Sequence, residues 1–225
     1  MSLPDAVILD MDGLMYDTER VWQMFWSPVL LKRGIWYDPA QGPACSATNG
    51  KVKQDILRSF YGDDWDVEGA CREFSAMAKA HLAMLRPHKK PGLDELIAWC
   101  HEHRVPLGIA SSSSLALIGH HLERTGLEED FDTIVSGEDA PRSKPYPDIF
   151  LMAAHNLAAR PAHTLVCEDS FNGVRAAAAG GFSVAMVPDT QDADDEMRAK
   201  ATVIVPSLFE VRDLLDAGAL PCSRA

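Results

Sequence analysis

Two aspartates, one residue apart, close an apolar run near the N-terminus: residues 6–19 read AVILDMDGLMYDTE, with Asp10 and Asp12 followed by Gly13. Charge at the end of a buried strand is costly unless something compensates it. Three later stretches supply groups that can. "IASSSS" presents Ser111 where a helix is expected to begin, "SKPYPD" holds Lys144 between Ser143 and Pro145, and "LVCEDS" delivers Glu168 and Asp169. Asp10, Asp169 and Glu168 are hard oxygen donors of the kind that bind Mg²⁺, which keeps several of its waters. Ser111, with the free amides of a helix start, is suited to an anion such as phosphate. Lys144, on a loop, can swing a positive charge over both phosphate and carboxylate. Carboxylates, an anion site and a lysine together point to phosphoryl transfer rather than hydride or acyl transfer.

These groups must be brought together by elements far apart in the chain. Short apolar runs at Ala6–Asp10, Val105–Ala110, Thr133–Gly137, Thr164–Glu168 and Ser183–Val187, with a weaker one at Thr202–Val205, predict strands buried on both faces. Helical patterns separate them from the second strand onward, at Ser113–Thr125, Asp148–Leu157, Asn172–Ala179 and Leu208–Ala217. Alternating strands and helices predict an α/β fold with a Rossmann-like, doubly wound parallel sheet. In such sheets ligands sit beyond the carboxyl ends of the strands, which is where the four polar stretches fall.

The interval between the first two strands breaks this rhythm. It reads as helices: 17–34 as one amphipathic helix with Trp22, Phe25, Trp26, Val29 and Leu30 near one face, then 51–62 and 70–85. Arg86–Gly92, with two prolines and a glycine, reads as a linker, and 92–104 resumes as the helix feeding the second strand. The expected organisation is therefore an α/β core of residues 1–15 and 87–225 with an inserted helical domain at 16–86. The acidic stretch Asp189–Glu196 reads as a solvated loop and helix start.

Composition narrows the class. Across 225 residues the formal net charge is −12, which argues against nucleic acid or an anionic membrane as a partner. It does not forbid an anionic substrate where a cation or lysine reverses the local field. Cys45, Cys71, Cys100, Cys167 and Cys222 are scattered, with no pairing pattern for zinc or a disulfide framework, so a reducing cytoplasm is expected. There is no basic stretch ahead of an apolar one at the N-terminus, so no signal peptide is expected. No apolar run is long enough to span a membrane. None of the eight histidines shows metal spacing. The oligomeric state is left open, a monomer being the simpler expectation.

"DMDGLMYDTE" resembles the first motif of the haloacid dehalogenase superfamily in its phosphatase branch, "ASSS" with Ser111 the second, "SKPYPDIF" with Lys144 the third, and "CEDSFNGVRAAAAGG" with Glu168 and Asp169 the fourth. They occur in the family's order across essentially the whole chain. The resemblance implies that Asp10 is a nucleophile forming an aspartyl-phosphate and that Asp12 is the general acid and base. It implies Mg²⁺ held by the Asp10 carboxylate, the Asp12 backbone carbonyl and Asp169, with Glu168 nearby. The helical insertion sits where this family places a cap that closes over the site. The implied activity is hydrolysis of a small phosphorylated metabolite, a sugar or nucleoside monophosphate.

The nearest rival is a phosphosugar mutase of the β-phosphoglucomutase type. Its second-phosphate arginine falls at Asn49 here, with Lys51 or Lys53 as substitutes, and its histidine falls at Trp22. A dehalogenase does without the second aspartate and the metal. A phosphonate hydrolase needs a cap lysine for a Schiff base, and a non-catalytic module should have lost one of Asp10, Asp12, Lys144 or Asp169. Plain structural roles are expected for the remaining polar and aromatic positions. Asp17-Thr18 should cap the first insertion helix, Trp22, Phe25 and Trp26 should pack, Ser112–Ser114 should start a helix, and Asn172-Gly173 should order a turn.

Overall fold

The computed structural model describes residues 3–48 and 50–220. Strands β1 (Ala6–Leu9), β2 (Leu107–Ser111), β3 (Thr133–Ser136), β4 (Thr164–Glu168), β5 (Ser183–Met186) and β6 (Val203–Ile204) form one sheet in the order β3-β2-β1-β4-β5-β6. Every adjacent pair is parallel. The helices are α1 (Glu19–Met24), α2 (Trp26–Leu31), α3 (Gly50–Tyr61), α4 (Val67–Leu82), α5 (Leu93–His103), α6 (Leu115–Thr125), α7 (Asp148–Asn156), α8 (Phe171–Ala179), α9 (Asp195–Lys200) and α10 (Leu208–Asp216). This is the doubly wound α/β architecture that the strand pattern predicts.

Two-sided burial explains why the strands read as unbroken apolar runs. Val7 and Leu9 of β1 join Leu165 and Cys167 of β4 in a cluster with Leu96 of α5 and Val211 of α10. Ile8 and Val166 point the other way, into a second cluster with Phe150 of α7 and Val174 of α8. Successive side chains of a strand thus serve opposite layers. The chain runs from β1 outward to β3 on one side, then returns to build β4 to β6 on the other, so the order reverses around β1. That reversal opens a crevice at the carboxyl ends of β2, β1 and β4.

Helices α1–α4 carry a third apolar cluster of their own, with Trp26, Leu30, Leu57 and Phe74 at its centre. The two segments joining them to the sheet lie side by side: Asp17 N–H donates to His88 O (3.1 Å), and Lys90 N–H donates to Met15 O (2.8 Å). The expected single helix at 17–34 is instead two, α1 and α2, meeting at Phe25. Pro28 is the cause, because it has no N–H to donate back to Met24 and so the first helix cannot run on through it. A 3-10 segment at Pro39–Cys45, not evident from the periodicity, precedes α3. Among the described residues no helix is long and apolar enough to cross a membrane, and Cys45, Cys71 and Cys100 are free thiols.

Candidate active site

Asp10 directly follows β1, its N–H still bonded to Cys167 O of β4 (3.1 Å), so its side chain projects from the strand edge at the crevice. Lys144 meets it there. The lysine is fully buried, donating to Asp10 Oδ1, to Glu168 Oε1 (2.6 Å) and to Ala110 O (3.3 Å), with its ammonium 4.7 Å from the Phe150 ring centre. It is therefore a fixed charge and not the swinging one expected from its loop. Burial works against that charge, but Asp10 and Glu168 outweigh it and hold the ammonium protonated above its ordinary range. Glu168 also accepts from the Ser170 N–H and hydroxyl, both at 2.9 Å, so both its oxygens are engaged.

Asp169 completes the group. Its Oδ1 is buried without a hydrogen-bond partner, and burial, with Glu168 and Asp10 close by, raises its carboxyl well above the usual range. Three buried carboxylates, Asp10, Glu168 and Asp169, therefore lie together with one ammonium that pairs with only the first two. A divalent cation fits both the charge deficit and the orphaned oxygen. Among the described residues no cluster of three or more His, Cys, Asp or Glu side chains is arranged to hold a metal. This agrees with Glu168 being spent on Lys144: the side-chain donors left are Asp10 and Asp169, a sparse set suited to an ion that keeps its waters. Gly13 has φ +88°, and a Cβ there would strike the Asp169 carboxylate, so a glycine is needed both for the turn and for the approach.

Asp12 is held quite differently, by three neutral donors. Thr18 Oγ1 (2.6 Å) and Trp22 Nε1 (3.1 Å) donate to Oδ1, and Ser113 Oγ (2.6 Å) donates to Oδ2. The plain roles expected for these residues give way accordingly. Thr18 stands at the N-terminus of α1 but makes no side-chain cap there. Trp22 is more than packing, and Ser113 is more than a helix start. Ser111 also moves: it ends β2, fully buried, and accepts from Ser113 N–H (3.1 Å), while α6 begins only after Ser114. Its place is a strand end beside Asp10, not a helix N-terminus.

The insertion roofs this floor. Asn172 donates from one amide nitrogen to Ala44 O and Ser46 O, both at 3.0 Å, and Ser112 Oγ donates to Ala47 O (2.7 Å). Asn172, expected to order a turn, thus ties the core to the insertion. Gly173 lies in the first turn of α8, where any Cβ would collide with the Glu168 carboxylate. Between floor and roof lies a cavity of about 260 Å³ lined by Asp10, Asp12 and Ser111. Lys53 lines it and Lys51 does not; Asn49 lies outside the described residues.

Residues 7–187 match the model of the haloacid dehalogenase-like hydrolase family. The chain belongs to that family. Among its curated relatives, Hexitol phosphatase B of Escherichia coli strain K12 is 28% identical over 215 residues, covering 93% of this chain and 96% of the relative. Fructose-1-phosphate phosphatase YqaB of the same strain is 30% identical over 181 residues, covering 79% and 93%. Among solved structures, CbbY from Rhodobacter sphaeroides in complex with xylulose-(1,5)bisphosphate superposes with a TM-score of 0.77 at 25% identity, covering 92% of this chain and 96% of that one. A β-phosphoglucomutase from Clostridium difficile gives 0.78 at 21% identity over 96% and 99%, a likeness of fold alone. The chain is thus a haloacid dehalogenase-like hydrolase, and the curated relatives named here are phosphatases.

In the hydrolase, the structure gathers every residue expected at the site, Asp10, Asp12, Ser111, Lys144, Glu168 and Asp169, at the ends of β1, β2 and β4 or against them. Sequence reasoning missed the cradle of Asp12 and the tie through Asn172. A signal for the cradle was present in the spacing of Thr18 and Trp22, which stand i and i+4 on the helix entering the insertion and so share a face.

Proposed function

We propose that this hydrolase is a Mg²⁺-dependent phosphatase that cleaves the phosphate ester of a small metabolite, a sugar or nucleoside monophosphate, through an aspartyl-phosphate on Asp10. The observation that carries the reading is the contrast between the two aspartates. Asp10 lies against the fixed Lys144 ammonium, whose charge opposes the upward push of burial and of Glu168 on its carboxyl, whereas Asp12 is reached only by neutral hydroxyl and indole donors at the cavity wall, where it stands as the acid and base. Asp10 attacks phosphorus and the ester oxygen leaves with a proton from Asp12. Asp12 then draws a proton from water, which opens the acyl phosphate.

The cradle selects the oxygen that carries the proton. An indole N–H only donates, so Trp22 keeps Oδ1 as an acceptor. The hydroxyl of Ser113 can turn from donating to accepting, so Oδ2 is the oxygen that holds the proton. Ser111 binds a phosphate oxygen, and Lys144, its N–H groups taken by Asp10, Glu168 and Ala110, supplies a fixed positive charge beside the phosphoryl group. Asp10, Asp169 and the Asp12 backbone carbonyl would hold Mg²⁺, and Glu168 acts from behind by fixing Lys144. When bound, the ion withdraws charge from the phosphoryl group and draws it toward Asp10.

Residues 16–86 act as a cap over the α/β core of 1–15 and 87–225, excluding water until it is needed. The roof contacts of Asn172 and Ser112 support this division, and the cavity's size suits a small metabolite rather than a macromolecule. A cytoplasmic setting fits the free thiols. The test is release of inorganic phosphate from p-nitrophenyl phosphate with Mg²⁺ and its arrest by EDTA. Phosphate release unaffected by EDTA would sink the metal-dependent reading.

Gly13→Ala provides a separate check that does not rely on turnover. A methyl group there must displace Asp169, and residues that orient metal ligands are typically worth about 10–100-fold in affinity. Titration calorimetry with Mg²⁺ should show a loss in that range in folded protein. Unchanged affinity would mean that Asp169 is not a ligand.

A further inference from the structure

The cavity that Asp10 and Asp12 line is also lined by groups that the hydrolytic steps do not use. Glu19, on α1, is 6% exposed and its carboxylate accepts from the Ser46 hydroxyl. Lys53, on α3, lies with its ammonium 5.1 Å from the Phe74 ring centre and 5.9 Å from that of Trp26, and no carboxylate of the described residues is within ion-pair distance. Trp26 and Phe74 stack on each other, with centroids 3.7 Å apart and planes 12° apart. Lys79 and Glu138 also face this space. Two ammonium groups and two carboxyl groups therefore surround it, one donor set balanced by one acceptor set.

Resting on the phosphatase reading above, we propose that Glu19 and Lys53 form the specificity subsite, and that it takes the uncharged, polyhydroxylated body of a sugar or sugar-alcohol monophosphate. A hydroxyl both donates and accepts, so it can satisfy a carboxylate and an ammonium at once. A second phosphate would meet Lys53 and Lys79 but also Glu19 and Glu138, so a neutral hydroxyl suits this balanced lining better than a dianion does. A nucleobase would need an open aromatic face, whereas Trp26 and Phe74 use theirs on each other and beneath Lys53. The Trp26–Phe74 pair instead offers an apolar wall to sugar C–H groups.

Glu19 is also costly where it stands. Burial, offset in part by the Ser46 hydrogen bond, pushes its carboxyl up to about 7, with Asp12 raising it and Lys53 lowering it further. The folded chain then binds a proton between roughly pH 4.5 and 7 that the unfolded chain releases, so the wild type loses stability as the pH rises through that window. Gln at this position keeps the contact with Ser46 and does not titrate. Glu19→Gln should therefore gain Tm relative to the wild type as the pH goes from 5 to 8, a mark of a residue kept for binding rather than for stability.

The experiment compares kcat/KM of the wild type, Glu19→Gln and Lys53→Met on sorbitol 6-phosphate, fructose 1-phosphate, fructose 1,6-bisphosphate, uridine 5′-monophosphate and p-nitrophenyl phosphate, all with Mg²⁺. The wild type should prefer the first two. Each variant should lose at least about 10-fold more on them than on p-nitrophenyl phosphate, chiefly through KM, as expected for one lost hydrogen bond to a charged group. Equal losses on all esters, or a wild-type preference for the bisphosphate or the nucleotide, would overturn the subsite. Absence of wild-type turnover on every ester would instead remove the phosphatase reading beneath it. Should Glu19→Gln fail to fold, the Lys53→Met comparison and the wild-type ranking decide alone.

Discussion

Asp10→Asn should abolish hydrolysis of every phosphate ester, whatever its leaving group, with losses on the order of 10⁴-fold or more, as when a nucleophile is removed from other covalent enzymes. The substitution is nearly isosteric, and Lys144 keeps Glu168 and the Ala110 carbonyl as partners, so the buried ammonium is not left alone. The variant should therefore fold, which circular dichroism and a cooperative thermal transition would establish. Residual turnover within about tenfold of wild type in a folded variant would show that Asp10 is only a ligand and that water attacks the ester directly. No rearrangement of the remaining carboxylates rescues the loss: both Glu168 oxygens are already engaged, and Asp169 has no lysine against it.

Asp12→Asn should act selectively. An amide placed with its oxygen at the Oδ1 position still accepts from Thr18 and Trp22, and its NH₂ can donate to Ser113 once that hydroxyl turns. Local structure is thus preserved while the exchangeable proton is lost. General acid–base assistance is typically worth ~10²–10⁴-fold, and its first-step value depends on the basicity of the departing oxygen. A sugar alkoxide needs a proton acutely, whereas p-nitrophenolate hardly does. Single-turnover phosphorylation should therefore fall far more for sorbitol 6-phosphate than for p-nitrophenyl phosphate. Equal losses for both esters would reduce Asp12 to a structural carboxylate.

Asp10, Glu168 and Asp169 were legible in the sequence because they close strands, and a strand ending in acids has few structural explanations. Lys144 was legible as a partner but not as a buried one. Lysine is exposed by default, and its burial depends on Asp10 and Glu168 arriving from two different strands. Ser111 was placed at a helix start because any of four consecutive serines could cap α6. Ser114 took that position and left Ser111 on the strand. The cradle of Asp12 was hidden for a related reason. Thr, Trp and Ser each have an ordinary local role, and only the fold-back of α1 and the turn after β2 turn three of them on one carboxylate. The break between α1 and α2 was the one element error with a visible cause, since Pro28 stood in the run.

The most direct test of the account is to trap the phosphoryl group on the enzyme. With Asp12→Asn, the activated ester should still phosphorylate Asp10, because p-nitrophenolate leaves unaided, while water attack should be slow for want of a base. Acid quenching during reaction with p-nitrophenyl phosphate and Mg²⁺, followed by mass spectrometry, should find about one phosphoryl group per chain. It should map to the peptide that contains Asp10 and vanish in the Asp10→Asn, Asp12→Asn double variant. A phosphoryl group on Ser111 or elsewhere, or none at all while p-nitrophenol is still released in steady turnover, would contradict the account.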